Sequence, residues 1–293
     1  MGFGGPGAQS VEVSAATTAT ATGGAGADGG FNAYGGAGGA GTAGTVQANT
    51  LTAKGGAGGD GSNLLPGMGG AGNTGIITTT TRTATISAVG GNAGARGPLP
   101  ANGGDGNTGT ITAPFGTAIG GAAGGGGYGG FGGNGNSGTI TAATVTVTGG
   151  ANPLQSGLGG NGNTGTVNAD PANAVIKAAG GAGSSGGSVG NANGGVINFT
   201  GDNATVTVDQ NGHLTPDQNG SPVPGSAKLN GGSSKNNTIT VTINAGILDA
   251  GAGGGNTITA SDNGNVDNRG TIDAGAGGNN TCRITNQSPG TST

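Results

Sequence analysis

The sequence predicts an all-β fold: a repetitive, parallel β-solenoid-like stack with glycine-rich segments of the polyglycine or polyproline-II kind. Three observations predict it. Glycine fills 78 of 293 positions, while Trp is absent and Tyr occurs twice. A unit of eleven residues recurs along the chain. Each copy of that unit ends in a short alternating run of Thr and β-branched residues, the composition that favours strands.

The glycine content decides how such a chain can hold together. The 31% of residues counted as hydrophobic is largely Ala. At roughly 25 cal/mol per Å² of apolar surface, side chains this small cannot assemble a thick core. Ordering glycine is also costly, because it has the most backbone freedom to lose. Backbone hydrogen bonds between stacked coils must therefore replace much of the missing core. Charged residues make up 7% and the net charge is −4, which does not fit charge-driven disorder. The eight Lys and Arg are scattered, so no basic stripe for nucleic acid exists. No apolar run is long enough for a membrane span. The segment Met1-Gly2-Phe3-Gly4-Gly5-Pro6 lacks the charged-then-apolar order of an ordinary signal peptide. A removed signal, a fragment of a longer protein, or export by another route are the expectations there.

The repeats come next in order. Gly103-Gly104-Asp105-Gly106-Asn107-Thr108-Gly109-Thr110-Ile111-Thr112-Ala113 returns as Gly132-Gly133-Asn134-Gly135-Asn136-Ser137-Gly138-Thr139-Ile140-Thr141-Ala142. Copies also begin at Gly69 and Gly159, a weaker one begins at Gly38, and a degenerate one ends at Phe199. Successive spacings from Gly38 to Gly159 are 31, 34, 29 and 27 residues. A second β run often follows, as in Thr83 to Ser87 or Thr144 to Thr148. Alternation there puts Val145 and Val147 on one face and three threonines on the other. The Asn-Thr-Gly elements are expected to supply positive-φ turn residues.

A second repeat type occupies the C-terminal third. Asp249 and Asp273 hold equivalent places in it, 24 residues apart. Ala204 to Val208 and Thr238 to Ile243 read as strands. The expected division is a glycine-rich repeat region, 1–190, and a β-solenoid-like region, 191–293, with a Pro/Gly loop at about 212–226.

Between the β runs lie the Gly-rich tracts. Collagen is excluded, because the Gly register breaks often and Pro totals 11. Equivalent tracts recur in every unit, so they would lie side by side. That favours ordered threefold helices, bonded laterally, over flexible loops.

Motifs that carry chemistry are sparse. In the calcium nonapeptide pattern the sixth position is Asp, but here it is Thr74, Thr108, Ser137 and Thr164. G-x-G-x-x-G matches are what the composition generates, and no amphipathic helix accompanies them. Two G-x-S-x-G matches, around Ser185 and Ser188, lack a strand-to-helix context. The single His213 sits in the Pro/Gly loop, Glu12 is the sole Glu, and the single Cys282 cannot form an internal disulfide. The reading is a non-enzyme with no cofactor and no metal.

The units quoted above resemble the Gly-rich repeats of large bacterial surface adhesins. Asn268-Arg269-Gly270-Thr271-Ile272-Asp273-Ala274-Gly275-Ala276-Gly277 resembles autotransporter passenger β-solenoids. Phage tail-tip adhesins also use ordered Gly-rich tracts to present variable loops. The resemblance implies an extracellular, cell-surface location and attachment or matrix formation. Three functions follow as expectations. The first is a self-assembling fibre or matrix subunit whose partner is itself. The second is an adhesin, bacterial or phage, binding a surface receptor or polysaccharide through variable inserts. Its candidate residues are Leu64, Leu65, Met68, Arg96, Leu99, Tyr128 and Phe131. The third is ice binding through threonine ladders.

Overall fold

The computed structural model describes residues 13–29, 34–61, 66–79, 81–94, 99–120, 130–152, 157–184, 190, 192–209, 228–231, 233–242, 247–249, 252–262, 271–273 and 276–286. These contain strands and extended segments but no helix. In chain order the strands are β1 (Val13–Thr22), β2 (Thr45–Lys54), β3 (Ile76–Thr78), β4 (Thr85–Val89), β5 (Thr110–Gly120), β6 (Thr139–Thr148), β7 (Thr166–Asn168) and β8 (Val175–Ala179). They continue as β9 (Val196–Asn198), β10 (Thr205–Asp209), β11 (Lys228–Asn230), β12 (Thr238–Thr242), β13 (Ile247–Asp249), β14 (Thr257–Asp262), β15 (Thr271–Asp273) and β16 (Thr281–Asn286).

Every pairing is parallel, so the fold is a β-solenoid of stacked coils. A coil contributes either one long strand or two short ones. The long β5 spans both roles: it pairs with β3 through its first half and with β4 through its second. The register shifts between Ala113 and Thr117, where β5 rounds the corner. Pairing of β7 with β9 and β8 with β10 carries the sheet across residue 190. The Pro/Gly loop at 212–226 lies outside the described residues.

The alternating runs behave as their period requires. In β6 the inward members Ile140, Ala142, Val145 and Val147 are fully buried, and the threonines between them are not. Stacking turns each inward position into a column. Val46, Ile77, Ile111, Ile140, Val167, Ile197 and Leu229 form one; Leu51, Ile86, Ala118, Val145, Ile176, Val206 and Ile239 form another. Both belong to one buried cluster, a core only one side chain thick on each wall. Asp249 and Asp273 are in register on β13 and β15. Cys282 on β16 is in register with Ile258.

The Gly-rich tracts are ordered. After β1, β2, β4, β6 and β8 the chain sends out one leg, as in 55–61, and brings back another, as in 66–72. Along a leg, exposure repeats every three residues: Ala57 is exposed while Gly55, Gly56 and Gly59 are buried. That is the period of a polyproline-II helix. Bonds leave the two glycines of a triplet in different directions. Gly55 N donates to Val89 O at the end of β4, where the next outgoing leg begins, at 2.8 Å, and Gly56 N donates to Gly39 O of a returning leg at 2.8 Å. Gly58 N and Gly59 N repeat this with Asn92 O and Gly36 O, both at 2.8 Å. Outgoing and returning legs thus form two layers of one hydrogen-bonded slab.

The slab explains why these positions are glycine. None of the leg glycines described lies at positive φ. Their backbone is one that any L-residue adopts, so conformation is not the requirement. Space is: a methyl group on Gly104 would run into the backbone of Gly70 and Gly69, and one on Gly160 into that of Gly133 and Gly132.

Positive φ occurs elsewhere than the sequence suggested. Among the described residues it is found at Asn173, Asn203, Asn236, Gly255 and Asn279, in the turns before β8, β10, β12, β14 and β16. Asn73, Asn107, Asn136 and Asn163 of the Asn-x-Gly elements are instead buried and bonded to one another. Their amides have a different use, set out below.

Replacing Gly104 with Ala should destabilise the protein by about 3 kcal/mol or more, since the backbone of the neighbouring leg at Gly69 and Gly70 must move. Replacing the outward Ala57 with Ser should cost no more than about 0.5 kcal/mol. Thermal unfolding followed by circular dichroism compares the two.

Candidate functional site

Two places concentrate polar or apolar chemistry: a buried amide ladder where the legs meet the sheet, and the far end of the slab.

The ladder begins at Thr42, whose Oγ1 donates to Asn73 Oδ1 at 2.7 Å. Asn73 Nδ2 donates to Asn107 Oδ1, Asn107 Nδ2 to Asn136 Oδ1, Asn136 Nδ2 to Asn163 Oδ1, and Asn163 Nδ2 to Asn193 Oδ1, each at 2.8 Å. The sequence separations along it, 31, 34, 29, 27 and 30, are those of the repeat. Each amide also engages the glycine two residues on. Gly75 N donates to Asn73 Oδ1 at 3.0 Å, and Asn73 Nδ2 reaches Gly75 O at 3.2 Å. The intervening Thr108 turns its Oγ1 to Asn73 O at 3.1 Å. All dipoles run the same way, so the ladder has a donor end, and there Asn193 Nδ2 is buried without a partner. Between its ends each ladder amide both donates and accepts within the protein.

The far end of the slab is where outgoing legs become returning ones. The joining segments are 30–33, 62–65, 95–98, 153–156 and 185–189, all outside the described residues. Their flanks are described and stack: Gly26 N bonds Ala57 O and Gly58 N bonds Asn92 O at 2.8 Å, while Gly103 N bonds Phe131 O at 3.0 Å and Gly132 N bonds Leu158 O at 2.8 Å. All these segments therefore leave from and return to one end.

The seven candidate residues divide accordingly. Leu64, Leu65 and Arg96 lie in joining segments, and Tyr128 lies in 121–129, which follows β5 directly; all four are outside the described residues. Met68, Leu99 and Phe131 lie at the start of returning legs, at outward positions, 49%, 46% and 51% exposed. Tyr34, which sequence reasoning did not single out, occupies the position of Leu99 on the first coil and is 48% exposed. Its signal was its place three residues before an outward Ala37. The two outer faces differ: the outgoing one shows small residues, Ala25, Ala57, Asn92, Ala151 and Ala182. The returning one becomes polar towards the sheet. Asn134 N donates to Asp105 Oδ1 at 2.7 Å, Ser137 Oγ to Asp105 Oδ2 at 2.6 Å, and Asn161 N to Asn134 Oδ1 at 3.0 Å.

Threonines also align, but across coils rather than along the run at 78–85. Thr79 is buried in that corner, and Thr81 Oγ1 bonds Asn49 Oδ1. The outward column is Thr18, Thr50, Thr85, Thr117 and Thr144, then Val175, then Thr205, Thr238, Thr257 and Thr281. Beside the corner, the Arg82 guanidinium sits 5.3 Å from the centre of the exposed Phe115 ring.

Among the described residues no group of three or more His, Cys, Asp or Glu is placed to hold a metal ion. Ser185, Ser188 and His213 lie outside them. No helix described is long and apolar enough to cross a membrane. No protein-family model matches this chain, and no curated protein or solved structure does either.

Asn107→Ala should cost about 2–3 kcal/mol, because it cuts the ladder in the middle and strips buried neighbours of a partner on both sides. Thr42→Val, at the ladder's end, should cost about 1 kcal/mol. Denaturant unfolding of the two variants measures the difference.

Proposed function

We propose that the chain is an extracellular recognition protein of the adhesin kind, in which a rigid glycine slab presents its joining segments to a target surface. The observation that supports this most is the geometry of the slab's far end. Segments that differ in length and sequence all depart from one edge of a laterally bonded lattice. The lattice itself repeats almost without variation. A constant frame holding unlike segments together is how folds commonly carry recognition. Rigidity of the flanks lowers the entropy lost on binding. The segments carry Leu64, Leu65 and Arg96, apolar and basic groups suited to an interface.

The fibre-subunit reading has one observation in its favour: β1 and the β15–β16 coil each pair on one side only among the described residues. Open edges invite end-to-end pairing. The two ends differ, however. The β1 coil carries outgoing and returning legs between Thr22 and Thr45, whereas only 24 residues separate β14 from β16 positions. End-to-end contact would join unlike coils. Ice binding calls for an unbroken array, and the threonine column is interrupted at Val175, beside Lys177 in the next column.

Replacing 62–65, 95–98 and 153–156 with short Gly-Ser linkers tests the recognition reading, with attachment of labelled protein to cells as the readout. Attachment should be lost with the melting temperature unchanged. Full attachment by a folded variant would overturn the reading and leave the segments as spacers.

A further inference from the structure

The outer face of the returning legs has an order that suits a copy of itself. Hydrogen bonds fix which residues are level: Gly38 N to Met68 O, Gly69 N to Asn102 O, Gly103 N to Phe131 O and Gly132 N to Leu158 O. Ala37, Met68, Asn102, Phe131 and Leu158 therefore form one column across successive coils, with Asn102 at its middle. Leu99 stands one threefold turn before Asn102, nearer the far end of the slab.

A two-fold axis lying along the Leu99–Asn102 leg reverses the order of coils and keeps the direction of the legs. It sets Met68 opposite Phe131 of a second copy, and Phe131 opposite its Met68. Leu99 meets Leu99, Asn102 meets Asn102, and Ala37 meets Leu158. The pairing is isologous, as a two-fold interface requires. Thioether against ring and leucine against leucine are favourable, and Asn102, whose Oδ1 accepts Phe131 N of its own chain at 3.0 Å, has its Nδ2 to donate across the axis.

Area and charge both allow it. Five returning legs, at strand-like spacing of about 4.8 Å, and about seven residues at ~3.1 Å rise give a face of roughly 500–600 Å². Two such faces cover on the order of 1,100 Å², above the ~1,000 Å² that separates interfaces from casual contacts. The described returning face carries no Lys or Arg, so an acidic partner finds no counter-ion there. Its one charge, Asp105, already accepts Asn134 N and Ser137 Oγ. The legs are held by lateral bonds, so little is lost in ordering them.

From this order we infer that two copies of the chain pair face to face through their returning legs, with Met68, Leu99, Asn102 and Phe131 at the seam. The joining segments of both copies then lie side by side at the same end. The inference is independent of what those segments recognise.

Sedimentation velocity of the full chain over a wide concentration range tests it. The natural protein should sediment as a dimer and Phe131→Asp as a monomer. Ala57→Asp, on the opposite face, should remain dimeric. Asp105→Asn removes the like-charge pair nearest the axis and should tighten association. In a Cys282→Ser background, Asn102→Cys should form a disulfide-linked dimer under mild oxidation, which keeps the test valid if Phe131→Asp folds poorly. A natural protein that stays monomeric throughout, or a folded Phe131→Asp that stays dimeric, overturns the inference. So does loss of cell attachment in Phe131→Asp without any change in sedimentation, which would assign this face to the recognition surface instead.

Discussion

Lateral hydrogen bonding between backbones, with nothing but hydrogen atoms on the α-carbons between them, is the constraint on which the rest of this molecule depends. In each leg two of every three residues face inward. Both donate to neighbours in different directions, as Gly55 and Gly56 do to Val89 and Gly39. A side chain at either place would occupy the position of a neighbouring carbonyl. The third residue points out and is free to vary. A chain with too little apolar surface for an ordinary core thus satisfies its backbone polar groups in a lattice.

The lattice, the amide ladder and the sheet share one register. A coil that slipped by one residue would turn the columns through Ile111 and Ile140 outward, since side chains alternate with period two. It would also break the Asn107–Asn136 bond and drive outward residues of the legs into carbonyls. Three different periods must agree: two in the strands, three in the legs, and one coil in the ladder. Asn-x-Gly sits at their junction. Its amide ties coil to coil, and its glycine clears the carbonyl of the coil before, as Gly109 clears Gly75. This accounts for the conservation of that tripeptide from copy to copy within the chain, where neighbouring residues drift.

Much of this was legible in the residues. The repeat gave the coil length, and alternation at Thr144 to Thr148 gave the inward valines. The stacking of the Gly-rich tracts followed from their recurrence. The use of Asn73, Asn107, Asn136 and Asn163 was not legible, because a turn asparagine and a ladder asparagine have the same local sequence. Only the neighbour in the next coil tells them apart. The same limit hid the threonine column, whose members lie one per coil. Of the candidate binding residues, Met68, Leu99 and Phe131 were read as loop residues. They sit on rigid legs, since a threefold helix with Gly at its inward positions leaves large side chains outward without breaking the bonds.

The slab separates what must be constant from what can change: inward glycines leave no space for a side chain, while outward positions do. Under the function proposed above, that separation lets the recognising residues diversify without cost to the fold. The account stands or falls on the slab being ordered in solution. Amide hydrogen exchange measured by nuclear magnetic resonance tests that directly. Gly55, Gly56, Gly58 and Gly59 should be protected as strongly as the amides of β6, with the outward Ala57 exchanging faster. Exchange of all five at the rate of an unstructured chain, while β6 stays protected, would contradict it.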